Sequence, residues 1–193
     1  MSQKIAFITG GNRGLGFQTA LELKDAGVKV VIGSRDLAQG EQAVARLRAA
    51  GADADVLHFD ITKPADHKAA YDYFNSRYGR LDILVNNAGI AAGAFPGNGP
   101  EHSVSGVAPD LLHKIFETNF FAQVALTRAL LPLLKKSVDL LEKSYQGGGQ
   151  VSFSDLLMTE QSYFATRLSL AAARQNLWLA IADVQGMMQQ SVE

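Results

Sequence analysis

Cysteine is absent from the chain, so no disulfide, thiolate nucleophile or cysteine-based metal site can be built from it. That composition fits a reducing compartment. Histidine is scarce and scattered: His58, His67, His102 and His113 share no paired ligand spacing, so metal catalysis has no support and no metal is expected. An excess of one charge is missing as well. The formal net charge is -1, so no global field points to nucleic acid or an anionic membrane. No apolar run reaches membrane-spanning length, and the N-terminus runs into a strand without a signal-peptide pattern. The cytoplasm is the expected location. What remains is ordinary for a soluble globular protein, with 47% hydrophobic and 19% charged residues. A length of 193 residues allows one domain with a substantial core, or one domain plus an appendage.

Glycine is placed with more purpose. The apolar run Ile5 to Ile8 meets Thr9-Gly10-Gly11-Asn12-Arg13-Gly14-Leu15-Gly16, which opens at once into helix-forming Phe17 to Leu23. Strand, tight turn, helix is the geometry that sets backbone N–H groups and a helix N-terminus against a phosphate. A plain strand-to-helix turn needs one glycine. Gly10, Gly14 and Gly16 together let the backbone approach a pyrophosphate where a Cβ would collide.

Further along, strands and helices alternate. Phe17 to Ala26 reads as a helix stopped by Gly27, and Lys29 to Ile32 as a second strand leading into Gly33-Ser34-Arg35-Asp36. Asp36 is placed to cap a helix running to about Ala50. Val56 to Phe59 forms a third strand closed by Asp60-Ile61-Thr62, Lys63 to Tyr78 a helix, and Leu81 to Val85 a fourth strand before Asn86-Asn87-Ala88-Gly89. This order predicts an α/β fold with a doubly wound parallel sheet. Right-handed crossovers would set the first and fourth strands side by side, with a switch point at their carboxyl ends. Ala91 to Val107, rich in Gly, Pro, Ser and Asn, is a long loop that either faces a substrate or is a tolerated surface insertion. Pro109 to Lys136 reads as one long helix, with Pro132 placed to kink it near its end.

Residues 4 to about 136 resemble the short-chain dehydrogenase/reductase family, and within it the carbonyl reductases. The motifs that carry this are Thr9 to Gly16, Asp60 after the third strand, Asn86 to Gly89 after the fourth, and Glu117-Thr118-Asn119-Phe120-Phe121 with Leu130-Leu131-Pro132. The resemblance implies a Rossmann-like domain with a nicotinamide dinucleotide lying across the strand ends. Gly10, Asn12, Arg13, Gly14, Leu15 and Gly16 would then belong to the cofactor turn. Asp60 and Ile61 would meet the adenine, and Asn87, Ala88 and Gly89 would bring backbone against the ribose. Asn119 would match the family's active-site asparagine, which kinks a helix to hold a water in a proton relay. Placed amid Phe116, Phe120 and Phe121, it is expected to be buried, and a buried amide without a partner is costly.

The choice of cofactor follows from charge. A dinucleotide lacking the 2′-phosphate is usually held by an acid at the end of the second strand. Here Ser34 and Arg35 occupy that place, with Arg13 in the glycine turn nearby. Guanidinium groups clamp phosphate bidentately, so NADP is expected rather than NAD, although Asp36 next door opposes it.

Past Lys136 the family pattern fails. The resemblance implies a strand with a catalytic serine and then Tyr-x-x-x-Lys, in which the tyrosine gives a proton to a carbonyl oxygen. The chain has Val151-Ser152-Phe153-Ser154 and then Tyr163-Phe164-Ala165-Thr166-Arg167, with shortened spacing and arginine for lysine. Tyr163 is nevertheless the candidate proton donor beside Asn119. From Asp155 to Gln185 there is no glycine or proline, and Leu156, Tyr163, Leu170, Leu177 and Val184 recur every seven residues. That spacing predicts one long helix with a coiled-coil-like seam. Residues 138 to 190 resemble the run into the last long helix of outer-membrane efflux channel proteins. The expectation is a composite chain rather than a divergent reductase end. Residues 1–137 would be a dinucleotide-binding domain truncated after the long helix. Residues 138–193 would be a helical tail with one short strand near 150–154. The expected function is an NADP-dependent oxidoreductase acting on a small carbonyl or alcohol, with an incomplete catalytic motif. The alternative is a non-catalytic dinucleotide-binding module that self-associates through its helical tail. An efflux-channel component is set aside, because every membrane-crossing strand is missing.

Overall fold

The computed structural model describes residues 3–90 and 109–146. Met1–Leu140 form one compact unit and Leu141–Glu193 a second, of which the described part is the last turns of a helix. Tyr163, the strand expected near 150–154 and the seven-residue seam all lie outside the described residues.

Four parallel strands form the sheet: β1 (Ile5–Thr9), β2 (Lys29–Ser34), β3 (Ala54–His58) and β4 (Ile83–Val85). Their order is β3-β2-β1-β4, so the chain steps outward twice and then returns past β1 to lay down β4. The register pairs Phe7 with Val31 and with Leu84. Reversal of direction between β1 and β4 opens a crevice at their carboxyl ends, the switch point expected of a doubly wound Rossmann-like sheet.

The central strands β1 and β2 are buried almost throughout, because both of their faces are covered, whereas β3 and β4 at the sheet edges are half-buried. Ile8, Val30, Ile32 and Ala54 pack with Ala20 of α1 (Gly14–Asp25) and Ala43, Val44 and Leu47 of α2 (Leu37–Ala49). Phe7 points the other way, into Phe59 at a ring-centroid distance of 5.2 Å and Phe74 of α3 (Pro64–Tyr78) at 5.1 Å. Leu126, Leu130 and Leu133 are fully buried on α5 (Ala122–Gln146), and Lys136 Nζ of α5 donates to Asn75 Oδ1 of α3 at 3.0 Å.

Several boundaries differ from the sequence reading, each for a physical reason. Helix α1 starts at Gly14 rather than Phe17, so the end of the glycine turn is already its first turn. The last strand starts at Ile83 rather than Leu81 because Asp82 has another task. Its carboxylate accepts from the Ile5 N–H at 2.8 Å, from Arg80 Nε at 3.1 Å and from the Ser137 hydroxyl. The helix expected over Pro109 to Lys136 is interrupted. It comprises α4 (Pro109–Phe116), a π-helical turn at Glu117–Phe121, and α5, which carries Pro132 inside it and continues to Gln146. In the π turn the Ala122 N–H reaches back five residues to the Glu117 carbonyl. Among the described residues, no helix is long and apolar enough to cross a membrane.

Candidate functional site

The ends of β1 and β4 are locked together by one hydroxyl. Thr9 is fully buried, and its Oγ1 accepts from the Asn87 N–H at 3.0 Å and the Ala88 N–H at 2.9 Å while donating to the Val85 carbonyl at 3.3 Å. Asn87 returns the contact, its Nδ2 donating to the carbonyls of Thr9 and Gly10 at 2.9 and 3.0 Å. This packing requires glycines. Gly10 has φ +64°, and a Cβ there would lie 3.0 Å from Ala88 Cα. At Gly16 a Cβ would sit 2.4 Å from Asn87 Nδ2 and 2.8 Å from the Gly10 carbonyl.

Above this lock lies an open cleft at the carboxyl ends of the strands. The glycine turn contributes Gly10, Asn12 and Arg13, the end of β2 contributes Gly33, Ser34 and Arg35, and the segment after β3 contributes Phe59 to Thr62. Ala88, Gly89, Ile90 and Thr118 form the remaining side. Among the sequence-derived candidates, Gly14, Leu15, Gly16, Asn87 and Asn119 do not line it. Gly16 and Asn87 stand behind its wall, and Leu15 is 81% exposed.

The residues present fit a phosphorylated ligand. Helix α1 has no acidic residue in its first turn, and Arg13, its extended N-cap, makes no side-chain cap bond. The positive end of the helix is therefore not neutralised by a residue of its own first turn or by its N-cap. Among the described residues, a Cβ at Gly14 would meet no atom within 4 Å beyond its own helix backbone and chain neighbours, which leaves space at that helix end. Arg13 and Arg35 are both exposed cations. The Ser34 hydroxyl is buried and donates to the Asp36 carbonyl at 2.7 Å, so Ser34 shapes the β2 end before it can serve as a donor to a ligand.

On the opposite side, Ile61 is buried and Asp60 half-buried. Asp60 Oδ1 accepts from the Thr62 N–H at 3.0 Å and the Thr62 hydroxyl at 2.8 Å. Burial opposes its charge, but those bonds and the nearby Arg35 and Lys63 cations hold its carboxyl below the ordinary value. Asp60 is thus an ionised acceptor at the cleft.

Asn119 is placed differently from the sequence expectation. It is exposed, as are Phe116 and Phe121, so it is not an amide buried among aromatic rings. Its cost is met locally: Asn119 Oδ1 accepts from the Ile90 N–H at 2.8 Å and its Nδ2 donates to the Ile90 carbonyl at 2.7 Å. Gly89 permits this approach, a Cβ there lying 3.2 Å from Asn119 Oδ1. The π turn carries Asn119 and directs the neighbouring Thr118 into the cleft. Gly33, Phe59, Thr62, Ile90 and Thr118 also line the cleft and were missed by sequence reasoning. Thr118 stood inside a quoted motif without being given a role; the others gave no composition signal of their own. Gln123 Nε2 donates to the Ala88 carbonyl and Asn86 Nδ2 to Thr127 Oγ1 at 2.9 Å, tying the Asn86–Gly89 turn to α5. Among the described residues, no group of three or more His, Asp or Glu could hold a metal.

The family model for short chain dehydrogenase matches residues 4–140. Short-chain dehydrogenase/reductase 1 of Saponaria officinalis is 34% identical over 150 residues, an alignment covering 70% of this chain and 50% of that protein. Carbonyl reductase (NADPH) 1 of Mus musculus is 38% identical over 138 residues, covering 69% of this chain and 46% of its own. A solved structure, the NADP active-site complex of RhlG from Pseudomonas aeruginosa, is 35% identical with a TM-score of 0.58, covering 69% of this chain and 49% of that one. The chain spans about half the length of the curated relatives it matches.

Proposed function

Because the chain belongs to the short-chain dehydrogenase family, we propose that it is an NADP-dependent oxidoreductase of the carbonyl reductase type, acting on a small carbonyl or alcohol. Hydride transfer is the chemistry that the nicotinamide supplies when bound. The protein's share is to bind, orient and handle the proton. The Gly10–Gly16 turn and the α1 N-terminus take the pyrophosphate, and Arg35 with Arg13 takes the 2′-phosphate. Asp60 and Ile61 take the adenine, while Asn87, Ala88 and Gly89 offer backbone to the ribose. Asn119 holds Ile90 at the far side of the cleft, and Tyr163 gives the proton to the substrate oxygen. The observation that carries the reading is the cleft at the β1/β4 switch point, with an uncapped helix end and two exposed arginines. Relatives named for NADPH and solved structures named for NADP support the cofactor.

Fluorescence titration with NADPH and NADH tests it. NADPH should bind more tightly, and Arg35→Ala should remove most of the difference, a charge-assisted contact being worth about 1.5–3 kcal/mol. Equal affinity for both dinucleotides refutes the NADP reading. A second reading, dinucleotide binding without catalysis and association through the tail, is favoured by Arg167 standing where the family motif has lysine. Turnover of simple aldehydes or ketones that disappears in Tyr163→Phe supports the enzyme. Tight NADPH binding with no turnover supports the binding module.

A further inference from the structure

We propose that Gln39 is a positioning residue for cofactor choice, which it governs by holding the Asp36 carboxylate out of the cleft; the proposal rests on the NADP reading above. Asp36 is the residue that slightly weakens that reading. It directly follows Ser34 and Arg35, where a carboxylate suits ribose hydroxyls and repels a 2′-phosphate. Ser34 and Arg35 line the cleft, yet Asp36 does not.

The hydrogen bonds give the reason. As N-cap of α2, Asp36 Oδ1 accepts from the Gln39 backbone N–H at 3.0 Å. Its second oxygen, Oδ2, accepts from Gln39 Nε2 at 2.9 Å. Both oxygens therefore have a donor on one residue, which biases the carboxylate toward Gln39 and away from the cleft. The other end of the amide completes the arrangement: Gln39 Oε1 accepts from Asn12 Nδ2 at 3.2 Å. A primary amide offers one carbonyl and one NH2 group. Here the NH2 faces the carboxylate and the carbonyl faces a donor on the glycine turn, so the orientation of Gln39 is set from both sides. One side chain thus ties the Asn12–Arg13 turn to the start of α2 and occupies the one acid at the end of β2. With Asp36 engaged by Gln39, its carboxylate keeps its charge but does not line the cleft, whereas Arg13 and Arg35 do.

Removing only the Gln39 side chain isolates this effect. Gln39→Ala keeps the backbone N–H that Asp36 caps, so α2 retains its N-terminus, and thermal melting checks that it does. Asp36→Asn keeps a good capping acceptor while deleting the charge. Dissociation constants for NADPH and NADH are measured by fluorescence titration for wild type, Gln39→Ala, Asp36→Asn and the double variant. The expected result is that Gln39→Ala narrows the NADPH-over-NADH preference roughly 3- to 10-fold, on the scale of one net hydrogen bond. The double variant should return to the wild-type preference or exceed it, since no charge remains to be held back. A merely structural role for Gln39 would not be rescued in this way. Wild-type preference retained in Gln39→Ala overturns the proposal and leaves the NADP reading standing. A double variant as narrowed as Gln39→Ala also overturns it, placing the effect in the Asn12 turn instead. Equal affinity in the wild type overturns the NADP reading and this proposal together.

Discussion

Replacing Thr9 by valine keeps the shape of the side chain and removes one oxygen, which makes it a clean probe of the β1/β4 lock. The hydroxyl accepts from two backbone N–H groups and donates to one carbonyl. Asn87 N–H retains a second partner, the Val85 carbonyl at 3.1 Å, so it is weakened rather than stranded. The Ala88 N–H, bound to the hydroxyl at 2.9 Å, loses its acceptor. An orphaned donor of this kind costs about 1–3 kcal/mol, and the lost net hydrogen bonding adds about 1 kcal/mol. The expected destabilisation is therefore about 2–4 kcal/mol, a large fraction of the ~5–15 kcal/mol of a typical domain. For a chain of this size that corresponds to a fall in Tm of about 5–15 °C. Differential scanning fluorimetry measures it, with Thr9→Ser as control, because serine keeps the oxygen and loses only a methyl group. NADPH affinity should fall in the same variant, since Ala88 and Gly10 line the cleft. A Thr9→Val protein that melts within about 1 °C of wild type, or a Thr9→Ser protein that falls equally far, refutes the assignment of the lock to the hydroxyl.

Gly16→Ala should abolish cofactor binding and destabilise the fold, because its Cβ would lie 2.8 Å from the Gly10 carbonyl, a backbone atom that cannot move aside cheaply; titration with NADPH and urea unfolding read the two effects. Asp82→Ala should cost about 1–3 kcal/mol in urea unfolding, since the Ile5 N–H of the buried first strand loses this acceptor while Arg80 keeps the Gln3 carbonyl at 2.9 Å. Acid should weaken the β3 edge: burial opposes the Asp55 charge, but hydrogen bonds and charges of Lys29 and Arg48 hold its carboxyl below the ordinary 3.8. A depressed carboxylate contributes stability above that value and loses it as pH falls through the lower folded one, so Asp55→Asn should flatten the acid limb of a pH–stability curve. An unchanged acid limb in that variant shows that the pair contributes nothing.

Much of this protein was legible before folding was considered. The alternation of short apolar runs with helical stretches predicted the parallel sheet, because strands covered on both faces must be apolar along their length. The spacing of Gly10, Gly14 and Gly16 announced the turn, since a close backbone approach leaves a sequence no alternative residue. Ser34, Arg35 and Asp60 were singled out because each lies at or just past a strand end, where an α/β sheet presents side chains to a ligand, and the structure brings all three to one cleft.

Other features depend on residues far apart in the chain. Asp82 sits in an apolar run and reads as part of a strand, until Ile5 and Ser137 are brought to its carboxylate. Asn119 was expected among phenylalanines because they are its neighbours in sequence. The π turn instead places it at the surface, facing the backbone of Ile90, 29 residues earlier. No local pattern marks the extra residue of a π turn, which is retained only because tertiary hydrogen bonds answer it. Asp36 read as an obstacle to NADP on sequence alone. Its engagement by Gln39, and Gln39's by Asn12, becomes visible only when the glycine turn and α2 meet. Sequence determines which residues can make a strand end, a tight turn or a charged contact, because those are properties of a few consecutive side chains. Which oxygen finds which donor across the cleft is decided by the packed sheet, because that pairing joins atoms that only the fold brings within 3 Å.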